Sequence, residues 1–389
     1  MDLKIRKRPQ ILDLRRSADG HPLHIWRSGG IGDFVFMEPG LRKLKAQNPT
    51  RDLLLHAPAK YEALSKLIGF DGFEANETGV CRGPGLDFHW ALERHPGWYC
   101  LDRVSIWEDL LGVPIGDEAV QLDIEKQGFP ADKPVLAFLP FASNYGPRGR
   151  SIPLDHVVAL IGALREQHAV MMLFAAGAPE EVKSTGVLCQ ENLSLVDFMG
   201  LLAGADKCLA VDTGGLYIAA AAGVPSVGLY SHVPPRLRIR RFPMIYGLDL
   251  RGPTCQCEQH GACSRPVRNE CPCKYVAAET VLEALNETAY GVEVYNTNGT
   301  WINKLHVGVT MEPHALGTAA GRSTDFSLMH ALAGIEWYYG FEGHVADYTL
   351  TVKAGDLIPR HVFLQALSDL EQPGYNQKAL PIDLKRNRP

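Results

Sequence analysis

The sequence predicts an α/β protein built from two doubly wound parallel-sheet blocks with a C-terminal extension. Three observations carry this expectation. Short apolar runs alternate with amphipathic stretches through residues 23–67 and again through 135–230. Glycine-containing loops, Ser28–Asp33 and Asp212–Gly215, each follow an apolar run and open a helical pattern. Between the blocks, Phe129–Pro134 holds two prolines and reads as a hinge, so the expected division is 1–130, 131–291 and 292–389.

The composition is that of a globular chain. With 46% hydrophobic residues and no low-complexity tract, the 389 residues exclude a disordered or collagen-like protein. The longest uncharged stretch, Thr213–Pro235, is interrupted by Gly214, Gly215, Gly223, Pro225 and Gly228, which makes it a short helix, a turn and a buried strand rather than a membrane span. The basic N-terminus is followed by no apolar signal core, so a cytoplasmic protein is expected. Five of the nine cysteines crowd between Cys255 and Cys273, a distribution unlike an extracellular disulfide framework.

The elements follow in order. Leu23–Arg27 is a strand running into Ser28–Asp33, and the next helix turns Phe36, Leu41 and Leu44 inward before ending near Pro49. A strand at Asp52–His56 and a helix at Tyr61–Leu67 complete the first alternation; residues 71–130 are less regular, with a helix through Val104–Leu111. In the second block, strands are expected at Val135–Leu139, Val170–Ala175, Lys207–Val211 and Pro225–Tyr230. Its helices are expected at Leu154–Gln167, Leu195–Ala203 and Leu216–Ala222. Ligands of such sheets sit at the carboxyl ends of strands, where both glycine loops fall.

Asp212-Thr213-Gly214-Gly215 opens a helix of small residues. Unsatisfied amides at a helix N-terminus suit a diphosphate, and Thr213 adds a hydroxyl, although Asp212 as a simple cap is an equally ordinary use of that position. Gly30-Ile31-Gly32-Asp33 lacks the third glycine of a dinucleotide loop and the lysine of a P-loop. Asp33 is either a helix cap or a general base at the floor of a cleft.

The order of these pieces is more specific than any one of them. Gly30-Ile31-Gly32-Asp33, Arg150-Ser151-Ile152-Pro153, Gly177-Ala178-Pro179-Glu180-Glu181, Leu193–Asp197 and the run from Asp212 to Pro225 together resemble glycosyltransferase family nine, the ADP-heptose:lipopolysaccharide heptosyltransferase family. The resemblance covers roughly residues 22–285. It implies the GT-B fold, two Rossmann-like domains facing a cleft, and an inverting, metal-independent transfer from a nucleotide-diphosphate sugar to an acceptor hydroxyl. Asp33 would match the catalytic base. Gly30 and Gly32, Arg150, and Asp212, Thr213, Gly214 and Gly215 would serve the donor and its phosphates, with Glu180 or Glu181 on the ribose. Where the family has the histidine of Asp-x-Gly-x-x-His, this chain has Tyr217, a hydrogen-bond donor without charge near pH 7.

Three features remain, the first of them similar to a cysteine-rich stretch seen in many members of that family. Cys255, Cys257, Cys263, Cys271 and Cys273, with His260 among them, suggest either a structural zinc site or a reduced or disulfide-linked cluster. Arg236–Arg241 is a basic run, either a solvated face or a surface for an anionic partner. Besides a glycan, it admits an acceptor of phage-type DNA with hydroxymethylated bases; a binding protein that lost catalysis is the remaining alternative. The aromatic-rich segment beyond 292 is expected to form a small core, with an amphipathic helix at Leu357–Leu370 and an extended or frayed tail at Glu371–Pro389.

Overall fold

The computed structural model describes residues 21–79, 81, 85–95, 98, 101–142, 150–231, 233, 235–250 and 274–286. Beyond these it describes short stretches at 294–296, 306–310, 336–339, 348–351 and 383–386 and the single positions 358 and 366. Two compact units result, one of residues 1–93 with 103–297 and one of 94–102 with 298–389.

The first unit contains two parallel sheets. In the smaller, β1 (Leu23–Trp26), β2 (Leu53–Ala57), β3 (Gly72–Ala75) and β4 (Leu86–Asp87) stand in the order β3-β2-β1-β4. Its helices are α1 (Ile31–Val35), α2 (Glu38–Gln47), α3 (Glu62–Leu67), α4 (Ala91–Arg94) and α5 (Arg103–Leu111). The single helix expected after the first glycine loop is two helices. Asp33 lies inside the first turn of α1, and Pro39, which has no amide hydrogen to donate, stands in the first turn of α2.

The larger sheet has seven parallel strands in the order β11-β10-β9-β8-β5-β6-β7. These are β5 (Val135–Leu139), β6 (Ala169–Leu173), β7 (Leu188–Gln190), β8 (Lys207–Val211), β9 (Ser226–Tyr230), β10 (Ile245–Asp249) and β11 (Val294–Asn296). Around it lie α6 (Leu154–Leu164), α7 (Glu180–Lys183), α8 (Leu195–Ala203), α9 (Gly214–Ala221), α10 (Arg236–Ile239) and α11 (Ala278–Asn286). Alternate strand residues, Leu136 and Phe138, Leu209 and Val211, Val227 and Leu229, face one core, and the helical stripe Val157, Leu160, Ile161 and Leu164 closes it. The segment 114–134 contains no helix or strand, yet its amides are used: Val120 donates to the Arg241 carbonyl, Leu122 to Ala221 and Gln127 to Gly200.

In each sheet the strand order reverses once, and the reversal places the loops that matter. The chain leaves β1 through β2 and β3 to one side and returns with β4 on the other; it leaves β5 through β6 and β7 and returns with β8. The crevice at such a switch point opens above the carboxyl ends of the two strands. Here those ends carry residues 27–33 and 88–90 in the first sheet, and Arg150 and Asp212–Gly215 in the second.

In the second unit, β12 (His306–Thr310), β13 (Glu336–Tyr339), β14 (Tyr348–Thr351) and β15 (Asp383–Arg386) form a sheet ordered β13-β12-β14-β15, with β15 antiparallel to β14. Within the tail expected to be extended or frayed, Asp383–Arg386 is thus a paired, extended strand. Alternation in Asp383–Arg386 is too brief to reveal partners at Tyr348–Thr351, more than thirty residues away. Most of the helix expected at Leu357–Leu370 and all of the cysteine cluster, Cys255, Cys257, Cys263, Cys271 and Cys273, lie outside the described residues. Among the described residues no helix is long and apolar enough to cross a membrane.

Candidate active site

The first glycine loop is organised by Arg27, the last side chain before the loop. Its guanidinium is wholly buried, 5.3 Å above the Trp107 ring. Nη1 donates to the carbonyls of Phe88 (2.8 Å) and His89 (2.9 Å), and Nη2 donates to Asp33 Oδ2 (2.7 Å) and Glu93 Oε1 (3.2 Å). Burial opposes the charge, but the Asp33 and Glu93 carboxylates outweigh it and hold the guanidinium pKa above its ordinary value. The Gly30 amide also donates to Asp33 Oδ2 (3.2 Å). Both hydrogen bonds thus fall on one oxygen, and among the described residues Oδ1 receives none. The Tyr61 hydroxyl closes the loop from the other side with a 2.6 Å bond to the Gly29 carbonyl; burial lifts that phenol to about 12, so it remains a donor.

The second glycine loop is organised by Asp212, buried at the end of β8. Its Oδ2 accepts from Arg150 Nη1 (2.6 Å), its Oδ1 accepts from the Tyr217 hydroxyl, and Arg238 Nε stands 3.7 Å away. Burial alone would raise this carboxyl. Arg150 and Arg238 overcome that effect and carry the pKa well below the ordinary range. Tyr217 is itself buried and shifted well upward, foremost by burial and then by Asp212. Its hydroxyl is turned inward to Asp212 and lies 3.4 Å from that of Tyr230. Thr213 takes the N-cap of α9 in an extended conformation without a side-chain capping bond.

The two loops meet. A methyl group on Gly214 would stand 2.7 Å from Ile31 Cβ and 3.0 Å from the Gly32 nitrogen, and one on Gly32 would stand 3.2 Å from the Tyr217 ring. At Gly214 only hydrogen lets α1 and α9 approach this closely, and at Gly32 the Tyr217 ring would have to give by a few tenths of an ångström. A methyl on Gly30 would meet nothing within 4 Å, so this glycine borders open space. The Asp33 carboxylate acts electrostatically on Arg150 across the junction. Asp33, Gly32, Arg150, Asp212, Gly214 and Tyr217 are therefore one neighbourhood.

Other sequence candidates are placed differently. Glu180 and Glu181 are exposed in the first turn of α7. The carboxylate that organises their loop is Glu191, which accepts from the Ala178 amide and pairs with Lys183 at 3.0 Å. The described arginines of the basic run, Arg238, Arg240 and Arg241, do not form a solvated face. Arg238 approaches Asp212, Arg240 pairs with Asp117 (3.2 Å), and Arg241 is buried against Glu108 (3.2 Å). The partners are distant in sequence, so a count of local charge misses them. In the sequence Arg27 stands out only as a lone arginine ending an apolar strand, Arg238 only as a member of the basic run, and nothing marks Glu93. Among the described residues no group of three or more His, Cys, Asp or Glu side chains is arranged to hold a metal ion.

Residues 113–240 match the sequence model of Glycosyltransferase family 9 (heptosyltransferase). No curated protein sequence matches the chain. Among solved structures, the chain is similar to E. coli ADP-heptose LPS heptosyltransferase II, with 17% identity, 68% of this chain and 97% of the other covered, and a TM-score of 0.48. It is similar to E. coli heptosyltransferase WaaC with ADP, with 16% identity, 68% and 100% covered, and a TM-score of 0.42. A glycosyl transferase family 9 structure from Veillonella parvula gives 11% identity, 67% and 95% covered, and a TM-score of 0.45. The family segment starts in the connection before β5 and runs through Arg150, Asp212 and Tyr217 to α10, about a third of the chain.

Proposed function

We propose that the chain is an inverting glycosyltransferase that moves a sugar from a nucleotide-diphosphate sugar to an acceptor hydroxyl without a catalytic metal, with Asp33 as the base. The observation that carries this reading is the one-sided anchoring of Asp33. Arg27 and the Gly30 amide hold Oδ2, leaving Oδ1 to accept a proton from an attacking hydroxyl, and the side chain is 27% exposed. Two guanidinium groups, Arg150 and Arg238, face the single Asp212 carboxylate, which leaves one positive charge beside the N-terminus of α9. That charge and the helix amides would stabilise the leaving diphosphate, as a metal does elsewhere. Tyr217 would act from behind, by holding Asp212, rather than on the donor.

The heptosyltransferase neighbours favour an ADP-linked sugar as donor and a sugar as acceptor. The pairing of Arg240 with Asp117 and of Arg241 with Glu108 weakens the case that the basic run makes for a DNA acceptor. On this reading residues 1–130 shape the acceptor side, 131–291 the donor side, and the protein works in the cytoplasm.

The test combines binding and turnover. ADP and ADP-sugars should raise the melting temperature of the wild type, because they bind only the folded state. Asp33→Asn should retain that shift and lose transfer by a factor of at least about 10². Transfer surviving in Asp33→Asn removes Asp33 as the base. Nucleotide binding with neither transfer nor donor hydrolysis in the wild type identifies a binding protein instead.

A further inference from the structure

Trp90 is the most exposed large apolar side chain among the described residues, at 62%. It lies on the loop after β4, one side of the switch-point crevice of the first sheet, and Asp33 lies on the other side, after β1. The two sides are tied by one group. The guanidinium of Arg27 holds the carbonyls of Phe88 and His89, the residues just before Trp90, with Nη1, and holds the Asp33 carboxylate with Nη2. Glu93, at the start of the next helix, grips the same guanidinium. The backbone carrying Trp90 is thus fixed with respect to the carboxylate while its indole is left in water, making no ring contact among the described residues.

We infer that Trp90 is an acceptor-binding residue that takes the flat C–H face of an uncharged sugar ring, placing a hydroxyl of that sugar toward Asp33. This rests on the reading of Asp33 as the base. The ring supplies a large, rigid apolar face with an electron-rich surface, and the axial C–H groups of a pyranose offer the matching apolar, weakly positive face. Charge around the residue separates this ligand from an anionic one. Among the described residues 85–94 the carboxylates and cations that reach solvent are Asp87 (53% exposed), which pairs with His89, Glu93 (26%) and the exposed Arg94, while the Arg27 cation is shut away from water. Two carboxylates against one accessible cation give no positive field to attract a phosphorylated sugar or a nucleic-acid backbone.

The experiment uses the full chain and ligand-observed saturation-transfer NMR. The probes are the methyl glycosides of glucose, galactose, mannose and a heptose, with glucose 6-phosphate and a short single-stranded oligonucleotide beside them. The expected result is saturation of the ring protons of at least one neutral glycoside, lost in Trp90→Ala and retained in Trp90→Phe, with a KM for that acceptor raised about tenfold or more in Trp90→Ala. Because the side chain is exposed, both variants should melt within a few degrees of the wild type. Equal saturation in wild type and Trp90→Ala, no signal from any neutral glycoside, or Trp90-dependence only for the phosphate or oligonucleotide overturns the inference. An ADP-sugar melting shift in the wild type separates the two failures. If the shift stands, only the role of Trp90 falls; if it is absent, the glycosyltransferase reading falls with it.

Discussion

Arg27 Nη2 lies 2.7 Å from Asp33 Oδ2, and the arginine is wholly buried while the aspartate keeps about a quarter of its side chain in water. The pair joins a buried hub to the carboxylate proposed as the base. Replacing Arg27 by Gln should leave the Glu93 and Asp33 carboxylates and two loop carbonyls without their shared donor, at a cost of about 3 kcal/mol in urea unfolding. Glu93→Gln, which removes one partner and keeps the donor, should cost about 1 kcal/mol. A smaller loss for Arg27→Gln than for Glu93→Gln would show that Arg27 is not the hub.

Asp212 governs the acid limb. Its folded pKa lies below its ordinary value of 3.8, so the stability it contributes is complete above that value and is lost as pH falls through the folded pKa. Asp212→Asn should therefore lower stability at neutral pH and flatten the decline below about pH 4. Tyr217→Phe removes a donor from a carboxylate that is 3% exposed, and should cost about 1–2 kcal/mol while weakening the same acid dependence. Unfolding titrations from pH 7 to pH 2 check both.

The glycines divide into two classes. Gly214→Ala should destabilise by about 1–3 kcal/mol, because the added methyl meets Ile31 Cβ and the Gly32 backbone and only separation of α1 from α9 relieves it. Gly30→Ala meets nothing within 4 Å, and with φ at −76° it should fold normally. Any loss of nucleotide-induced melting shift in Gly30→Ala then reports on the approach of the ligand to the loop.

Arg241 and Glu108, both buried, bridge the residue two positions after α10 to α5 at 3.2 Å, with Lys43 holding the other carboxylate oxygen of Glu108 at 2.6 Å. Arg241→Met should cost about 3 kcal/mol by leaving part of that charge unpaired. A double-mutant cycle with Glu108→Gln should return a coupling of more than about 1 kcal/mol. Additive effects would mean that the two side chains are neighbours without an energetic link.

Much of the α/β order is legible in the sequence because local patterns carry it. Val135–Leu139, Leu195–Ala203 and Lys207–Val211 occur with the limits their periodicity suggests, since apolar alternation and a serine cap are properties of a few adjacent residues. The short pieces β3, β7, β10 and α11 were not legible. Gly72–Ala75 and Leu188–Gln190 are strands because a neighbouring strand accepts their backbone bonds, not because of their own side chains.

The sequence by itself determined that two glycine loops end apolar strands, that Asp33 and Asp212 stand in them, and that Arg150 precedes an amphipathic helix. Only the tertiary structure decided what those residues touch. The reversal of strand order in each sheet brings Arg27 under the loop of Phe88 and His89, and brings Asp212 to Arg150 and Arg238. It also turns two members of the basic run inward, Arg238 toward Asp212 and Arg241 onto Glu108. Charge partners are chosen by distance in space, and a sequence states distance along the chain; in this protein 61, 62 and 66 residues separate Arg27 from Phe88, His89 and Glu93, and 62 separate Arg150 from Asp212.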